Sequence, residues 1–349
     1  MHADTAAVRS GEELNITALA AYLQGKIEGA ERSLEVTQFP GGHSNLTYLV
    51  RCGDREYVLR RAPFGPVPPK AHDMAREYRL LAAVNPHFPE APRVYHLCED
   101  PQVIGAVFFL MERRHGVILR EEIPPEIAAA PDYPQRISEA FIDCLARLHA
   151  VDIEQHGLLA LGKPEGFVER QVRGWADRWE RAKTGEVPAM DGVIRWLVDN
   201  MPESGKPTLV HNDYKLDNVM LGAADRIEAV LDWEMTTVGD PLADLGLTIC
   251  YWCWANADDV RAAGIPAITA RPGWYTRDAF IQRYAGKTGR DVSAIGYHEV
   301  LGVFKLAVII QQIYVRYHRG QTHDERFAGF GGRAAALIRL AAQLAERPS

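Results

Sequence analysis

The sequence predicts an α+β protein with a small antiparallel sheet and helix in its N-terminal part and a mainly helical remainder. Three observations predict this. The runs "LEVTQF", "TYLVRC" and "EYVLRRA", rich in β-branched and aromatic residues, follow one another near the N-terminus. Gly41-Gly42 and Gly53-Asp54 separate them and supply turn chemistry. Beyond about residue 115 the apolar residues recur mostly at helical spacing. A chain of 349 residues, 47% hydrophobic and 24% charged, can bury a sizeable core and suggests two lobes, here 1–114 and 115–349.

Taken in order, an amphipathic helix is expected over residues 12–27, followed by the three-strand meander. A proline-rich loop, "APFGPVPPK", leads into "AHDMAREYRLLAAV", where Met74, Tyr78 and Leu81 fall at helical spacing. Strands near "RVYHL" and "AVFFLMER" complete the first lobe. Helices are then expected in "ISEAFIDCLARLHAV", "MDGVIRWLVDNM", "YTRDAFIQRYAG", "YHEVLGVFKLAVIIQQIYVRY" and "GGRAAALIRLAAQLAER". The stretch "LVHNDYKLDNVML" is the strand-rich, unusually polar exception.

Composition narrows the function. A formal charge of −7 and a pI near 6.0 argue against nucleic acid or a membrane surface as partner. Five scattered cysteines, an odd number, do not form a disulfide framework in a chain this long, so reduced thiols and a cytoplasmic location are expected. Cys250 and Cys253 form a lone C-x-x-C inside an apolar run, which reads as buried thiols and not as a metal site. The N-terminus lacks the order of a signal peptide, so no export is expected. The longest apolar stretches fall far short of the roughly 20 residues that span a bilayer.

The chemistry concentrates after residue 208. In "VMLGAADRIEAVLDW" two apolar runs flank a polar turn, the pattern of a β-hairpin turning near Asp225. Such a hairpin would set Asn218 opposite Asp232, an amide oxygen beside a carboxylate. Magnesium keeps most of its waters and takes one or two protein oxygens plus phosphate oxygens, so this sparse pair suits a magnesium nucleotide. Asp213 is then left to meet the nucleophile.

These residues resemble the catalytic core of the protein-kinase-like fold, as in the aminoglycoside phosphotransferase and choline kinase family. "HNDYKLDN" is similar to the H-x-D-x-x-x-x-N motif at His211, Asp213 and Asn218, and "LDW" places Asp232 where kinases hold a metal-binding aspartate. The resemblance implies a bilobal α+β fold, with ATP, or GTP in its place, and Mg2+ as cofactors. It implies that Asp213 accepts the acceptor's hydroxyl proton and that Asn218 and Asp232 hold the metal. Lys215 would approach the transferring phosphate, or is only a solvated charge. His211 reads as a structural histidine.

The resemblance extends to the first lobe. Kinases place a phosphate-binding lysine where Arg60 stands, with a small apolar residue, here Val58, two before it against adenine. Arginine keeps the charge and changes the geometry. Glu77 would be its partner, or is a helix surface charge. "FPGGHSNLTYLV" is similar to the family's glycine loop, with Gly41, Gly42, Ser44 and Asn45 around phosphate. Met111, Glu112 and Arg113 would form the hinge whose backbone meets adenine. "GDPLADLG" is similar to the family's G-D-P-x-x-D-L; Asp240 and Asp244 also suit the start of a helix. By the resemblance Asp244 braces the catalytic loop.

No room exists for a protein kinase's activation segment, so a small-molecule acceptor is expected; protein partners stay undefined. The acceptor site is expected in the helical part, at Trp252, Tyr314, Arg316 and Arg319, although the aromatics would serve equally as core and the arginines as a solvated helix end. The fullest resemblance is to phosphotransferase-like domains associated with acyl-CoA dehydrogenases, through "GGHSN", "YVLRRAP", "REYRLL", "CEDPQVIG" and "GDPLADLG". It implies a hydroxyacyl or acyl-CoA-like acceptor. The alternatives are antibiotic phosphorylation and a nucleotide-binding pseudokinase acting as a partner module.

Overall fold

A computed structural model describes residues 4–40, 45–64, 72–120, 122–252, 268–322 and 324–347. The chain forms two compact units. The first comprises Met1–Gly116 with Glu228–Glu234, and the second comprises Val117–Ile227 with Met235–Ser349.

The first unit is built on a five-stranded antiparallel sheet in the order β1-β2-β3-β5-β4. Its strands are β1 (Leu34–Gln38), β2 (Leu46–Cys52), β3 (Arg55–Arg61), β4 (Val94–Cys98) and β5 (Phe108–Glu112). Strand alternation sends Tyr57 and Leu59 of β3 to one face, where they join Tyr48, Val50, Phe108 and Leu110 in a core closed by Leu19 and Leu23 of helix α1 (Ile16–Leu23). Helix α2 (Met74–Val84) packs on β4 and β5, with Tyr78 edge-on to Phe109. Residue 58 and residue 60 are thereby left for the site.

α1 is shorter than the expected 12–27. Asn15 caps it by accepting the Ala18 amide at 3.0 Å, and Gln24 leaves helical geometry before Gly25 at φ +70°. The apolar pattern of that stretch continues beyond the helix because Leu14 and Ala30 join the same core from loops. The start of α2 is capped in the same way by Asp73, which accepts the Arg76 amide at 2.9 Å.

The second unit is mainly helical. The five expected helices appear as Tyr133–His149, Ala189–Asp199, Arg277–Thr288, Ile295–His318 and Phe330–Ala345. Phe167–Ala182 and Pro241–Trp252 complete the larger ones among the described residues, and the first of these was not foreseen. Its stripe of Val168, Val172, Trp175 and Trp179 joins the main core with Leu337, Ile338 and Phe304. Among the described residues of this unit, short strands form two small sheets. Thr208–Val210 pairs with Thr237–Gly239, and Val117–Ile118 pairs with Val219–Leu221.

The 24-residue helix Ile295–His318 is long and apolar enough to cross a membrane by length and composition, which the shorter apolar runs in the sequence did not suggest. Of its most apolar window, 61% is buried inside the protein, and its buried residues include Glu299 and Lys305. It packs on Pro241–Trp252 at two glycines. A Cβ on Gly246 would stand 2.4 Å from the His298 carbonyl oxygen, and one on Gly302 would stand 3.0 Å from the Gly246 carbonyl oxygen. Close backbone approach explains both glycines. Cys52, Cys98, Cys144 and Cys250 are buried free thiols, while Cys253 lies outside the described residues.

Candidate active site

In the first unit, Arg60 and Glu77 are both buried, with Arg60 Nε 3.3 Å from Glu77 Oε1. Arg60 Nη2 reaches Asp232 Oδ1 at 3.2 Å. Burial would strip the guanidinium of its proton, but Glu77, Asp232 and Glu234 more than offset it and raise its pKa. Burial pushes the Glu77 carboxyl up to about 7, against the pull of Arg60. Glu77 is therefore no surface charge. The arginine is held between two carboxylates.

Asp232 has φ +65°, the left-handed region that a non-glycine residue enters at a cost on the order of 1 kcal/mol. The turn is held from both sides within the first unit. Val230 donates its amide to the Glu90 carbonyl at 2.8 Å, the Trp233 indole donates to the Val230 carbonyl at 2.7 Å, and Trp233 lies edge-on to Phe88. Asn45 donates from Nδ2 to Glu234 Oε2 at 2.8 Å while its Oδ1 meets His72 Nδ1 at 2.8 Å. Both ends of that amide are thus engaged. Gly41, Gly42 and Ser44, expected around phosphate, lie outside the described residues.

Val58 is buried on β3 and pairs with Met111 of β5. Of the residues expected in the hinge, Met111 and Glu112 end strand β5, and the Glu112 amide is given to the Arg93 carbonyl at 2.7 Å. Arg113 follows directly on the end of that strand. That residue's side chain lies over the Phe39 ring and pairs with Asp4.

In the second unit, the loop after strand Thr208–Val210 presents Asp213. Asp244, at the start of helix Pro241–Trp252, accepts the His211 amide at 2.6 Å and the Asn212 amide at 2.7 Å. Burial works to raise the Asp244 carboxyl, yet the His149 ring at 3.2 Å and the His211 amide hold it low. Asn212 has φ +66°, with its side chain donating to the Met235 carbonyl and its own carbonyl accepting from buried Lys305 at 3.2 Å. His211 is fully buried and accepts the Asp213 amide at Nδ1, 3.3 Å away. Asp240 caps the helix by accepting the Leu242 amide at 2.8 Å.

Three side chains converge on the Asp213 carboxylate: Lys215 Nζ at 2.9 Å, Asn218 Nδ2 at 2.8 Å and the Tyr251 hydroxyl at 3.2 Å. Asn218 Nδ2 also donates to the Asp213 carbonyl at 2.9 Å. With the nitrogen committed to the loop, the amide oxygen is the part of Asn218 suited to a cation. Burial and the neighbouring Asp213 raise the Tyr251 hydroxyl well above its ordinary pKa, so it stays a donor. Asp225 lies in the turn between Val219–Leu221 and Ile227–Val230, where Gly222 donates to the Arg226 carbonyl at 2.8 Å and Arg136 Nε meets Asp225 Oδ2 at 2.9 Å.

Among the described residues no cluster of three or more His, Cys, Asp or Glu could hold a metal. Magnesium beside phosphate takes only one or two protein oxygens and needs no such cluster; an amide oxygen, as in Asn218, and a carboxylate, as in Asp232, are each donor types that suit it.

A cavity of about 110 Å³ opens beside this loop, with Lys215, Tyr251 and Trp252 in its wall. Of the expected acceptor residues only Trp252 lines it, stacked on Phe141 at 4.8 Å. Tyr314 packs on Gly331 and His318, and Arg316 and Arg319 are exposed at the end of their helix.

Residues 35–280 match the family described as "Phosphotransferase enzyme family". The chain belongs to the phosphotransferase enzyme family. This phosphotransferase is 34% identical over 334 residues to mouse acyl-CoA dehydrogenase family member 11, a match covering 92% of the chain and 42% of that protein. It spans well under half the length of such curated relatives. A crystal structure of a candidate aminoglycoside phosphotransferase from Ralstonia eutropha JMP134 superposes with a TM-score of 0.81 at 29% identity, covering 96% of this chain and 99% of that one. The aminoglycoside phosphotransferase APH(4)-Ia, solved as a ternary complex with AMP-PNP and hygromycin B, shares the fold, with a TM-score of 0.60 at 19% identity and coverage of 93% and 98%. The protein-kinase-like fold is thereby shown.

Several residues of the phosphotransferase's site were not foreseen. Tyr251 stands inside a run that reads as core, and its contact with Asp213 depends on helix Pro241–Trp252 packing beside the loop. His149 and Lys305 lie far from the motif in sequence and carried no local signal.

Proposed function

We propose that the protein is an ATP- and magnesium-dependent kinase of a hydroxyl group on a small molecule. The observation that supports this reading most is the Asp213 carboxylate, held by Lys215, Asn218 and Tyr251 on a loop whose backbone Asp244 and Lys305 fix from behind. Catalysis of phosphoryl transfer is mostly positioning and charge neutralisation, and a rigid loop with one partly exposed carboxylate suits it.

In the proposed reaction Asp213 takes the proton of the acceptor hydroxyl as its oxygen bonds to the γ-phosphorus. The bond from that phosphorus to the bridging oxygen breaks, and ADP leaves. Lys215 offsets charge at the same carboxylate, and Arg60 supplies a fixed cation for phosphate oxygens. Asn218 and Asp232 would hold magnesium, which supplies neutralisation of the phosphate charge.

For the acceptor we propose a hydroxyacyl or acyl-CoA-like molecule, because the curated relatives are named as acyl-CoA dehydrogenase family members. The alternative, antibiotic phosphorylation, is supported by the solved relative named for aminoglycosides. A pseudokinase is disfavoured by the retained Asp213, Asn218 and Asp232. The four buried thiols support a cytoplasmic setting.

The test is an ATP-consumption screen over hydroxyacyl-CoAs, amino alcohols and antibiotics. Asp213→Ala is expected to lower transfer by at least about 100-fold while ATP still binds. Unchanged turnover of a confirmed acceptor by that variant would refute the assignment of Asp213 as base.

A further inference from the structure

In the second unit, the helix Phe167–Ala182 carries a cation without an anion. Arg178 is partly buried, and its guanidinium carbon lies 4.3 Å from the centre of the Trp175 ring, one turn earlier. That ring is itself fixed, buried in the core with its indole nitrogen donating to Gln171 Oε1 at 3.0 Å. Among the described residues Arg178 makes no hydrogen bond or ion pair, and none of its nitrogens is sealed from solvent. Burial and the neighbouring cation Arg181 lower its pKa, and no carboxylate acts in the other direction. Arg277 and Arg283, also partly buried in this unit, are paired with Glu299 and Asp143.

Three contacts, none longer than 5.6 Å, lead from this cation to the loop of the proposed base. Arg178 stacks on Trp175, and the Lys305 ammonium lies 5.6 Å from the centre of the same ring. Lys305 in turn donates to the carbonyl of Asn212, the residue before Asp213, at 3.2 Å. Being buried, Lys305 does not meet a ligand, but its charge adds to the same field. Of the groups that act on it, Asp244 and Asp213 favour its proton whereas Arg178 and Lys215 oppose it. Both carboxylates are already committed, Asp244 to His149 and two loop amides, Asp213 to Lys215, Asn218 and Tyr251. Arg178 is left over, with its donors open.

We infer that Arg178 binds an anionic group of the acceptor, a carboxylate or a phosphate, at the other end of the molecule from the hydroxyl presented to Asp213. A planar guanidinium offers parallel donors to two oxygens of such a group, and the indole against it holds the fork in place. The acceptor is then an extended hydroxy compound whose anion and hydroxyl stand several bonds apart. This deepens the kinase reading and rests on it for the fate of the hydroxyl, whereas the anion contact needs no ATP.

The experiment titrates the full chain by calorimetry, without nucleotide, with three probes on one six-carbon frame: 6-hydroxyhexanoate, 6-hydroxyhexyl phosphate and 1,6-hexanediol. The expected result is saturable binding of the two anions and at least about tenfold weaker binding of the diol. Arg178→Gln should weaken the anions about tenfold and leave the diol unchanged, while Arg178→Lys, which keeps the charge and loses the fork, should fall between. Arg181→Gln removes an exposed charge nearby and should shift anion affinity by no more than about twofold, which separates a direct contact from screened attraction. Whichever anion binds more tightly identifies the acceptor's group. Equal affinity for anions and diol, unchanged anion affinity in Arg178→Gln, equal losses in the Arg181 variant, or no saturable binding overturns the inference. Transfer to the same probes is then scored with ATP: anion binding without transfer counts against the kinase reading alone, and transfer to all three at equal KM counts against Arg178 alone.

Discussion

At the scale of single residues, the loop that carries Asp213 is held by groups that a linear motif does not contain. Lys305 is the clearest case. It is buried, donates to the Asn212 carbonyl and lies 5.6 Å from the centre of the Trp175 ring. Burial lowers its pKa to about 8, opposed by Asp244 and Asp213 and reinforced by Arg178 and Lys215. A cation whose folded pKa is depressed costs stability below that pKa and releases the cost as pH rises towards the unfolded value of 10.5. Stability to denaturant should therefore rise between about pH 8 and pH 10.5 relative to Lys305→Met, which lacks the titration. Parallel pH profiles for the two proteins would contradict this. Glu77 shows the same dependence on surroundings. Its position on α2 fits a surface charge equally well, and only packing against β3 commits it to Arg60.

At the scale of elements, the crossing of Pro241–Trp252 with Ile295–His318 decides the site. Gly246 brings the first helix against the His298 carbonyl, which carries Tyr251 to Asp213 and sets Lys305 under Asn212. Gly246→Ala puts a methyl group into backbone that cannot rotate away, so it should lower unfolding stability by about 1–3 kcal/mol. Because the catalytic loop rests on this crossing, kcat should fall as well; equal stability by chemical denaturation would show the contact to be looser than its geometry. The strands and helices were largely legible in the sequence because their periodicities of two and about 3.6 reflect which face is buried. Their ends were less so. The pattern over 12–27 includes loop residues that join the core, and Asn15 and Gln24 end α1 through capping geometry. The helix Phe167–Ala182 carried a readable stripe in Val168, Val172, Trp175 and Trp179, diluted by arginines and glutamates on its outer face.

At the scale of the whole molecule, the two compact units do not follow the order of the sequence. Asp213, Asn218 and the cavity belong to the second, whereas Arg60, Glu77 and Asp232 belong to the first, because Glu228–Glu234 is counted there despite following Asn218 in sequence. If Asp232 holds magnesium, nucleotide affinity should depend on the metal and weaken at least tenfold in Asp232→Ala. Calorimetry giving equal affinity with and without EDTA would remove the metal from the proposal.

The order of residues by itself determined the family-like motif at His211, Asp213 and Asn218, the placement of Asp232, the alternation that separates Val58 and Arg60 from the core, and the α+β class. These are local properties, set by spacing along one strand or loop. Only the tertiary structure decided that Tyr251 and Lys305 meet the Asp213 loop, that His149 meets Asp244, and that Glu77 is buried against Arg60. Those facts depend on distant segments meeting in space, where a buried charge or hydroxyl acquires its role from the partner that packing supplies or withholds.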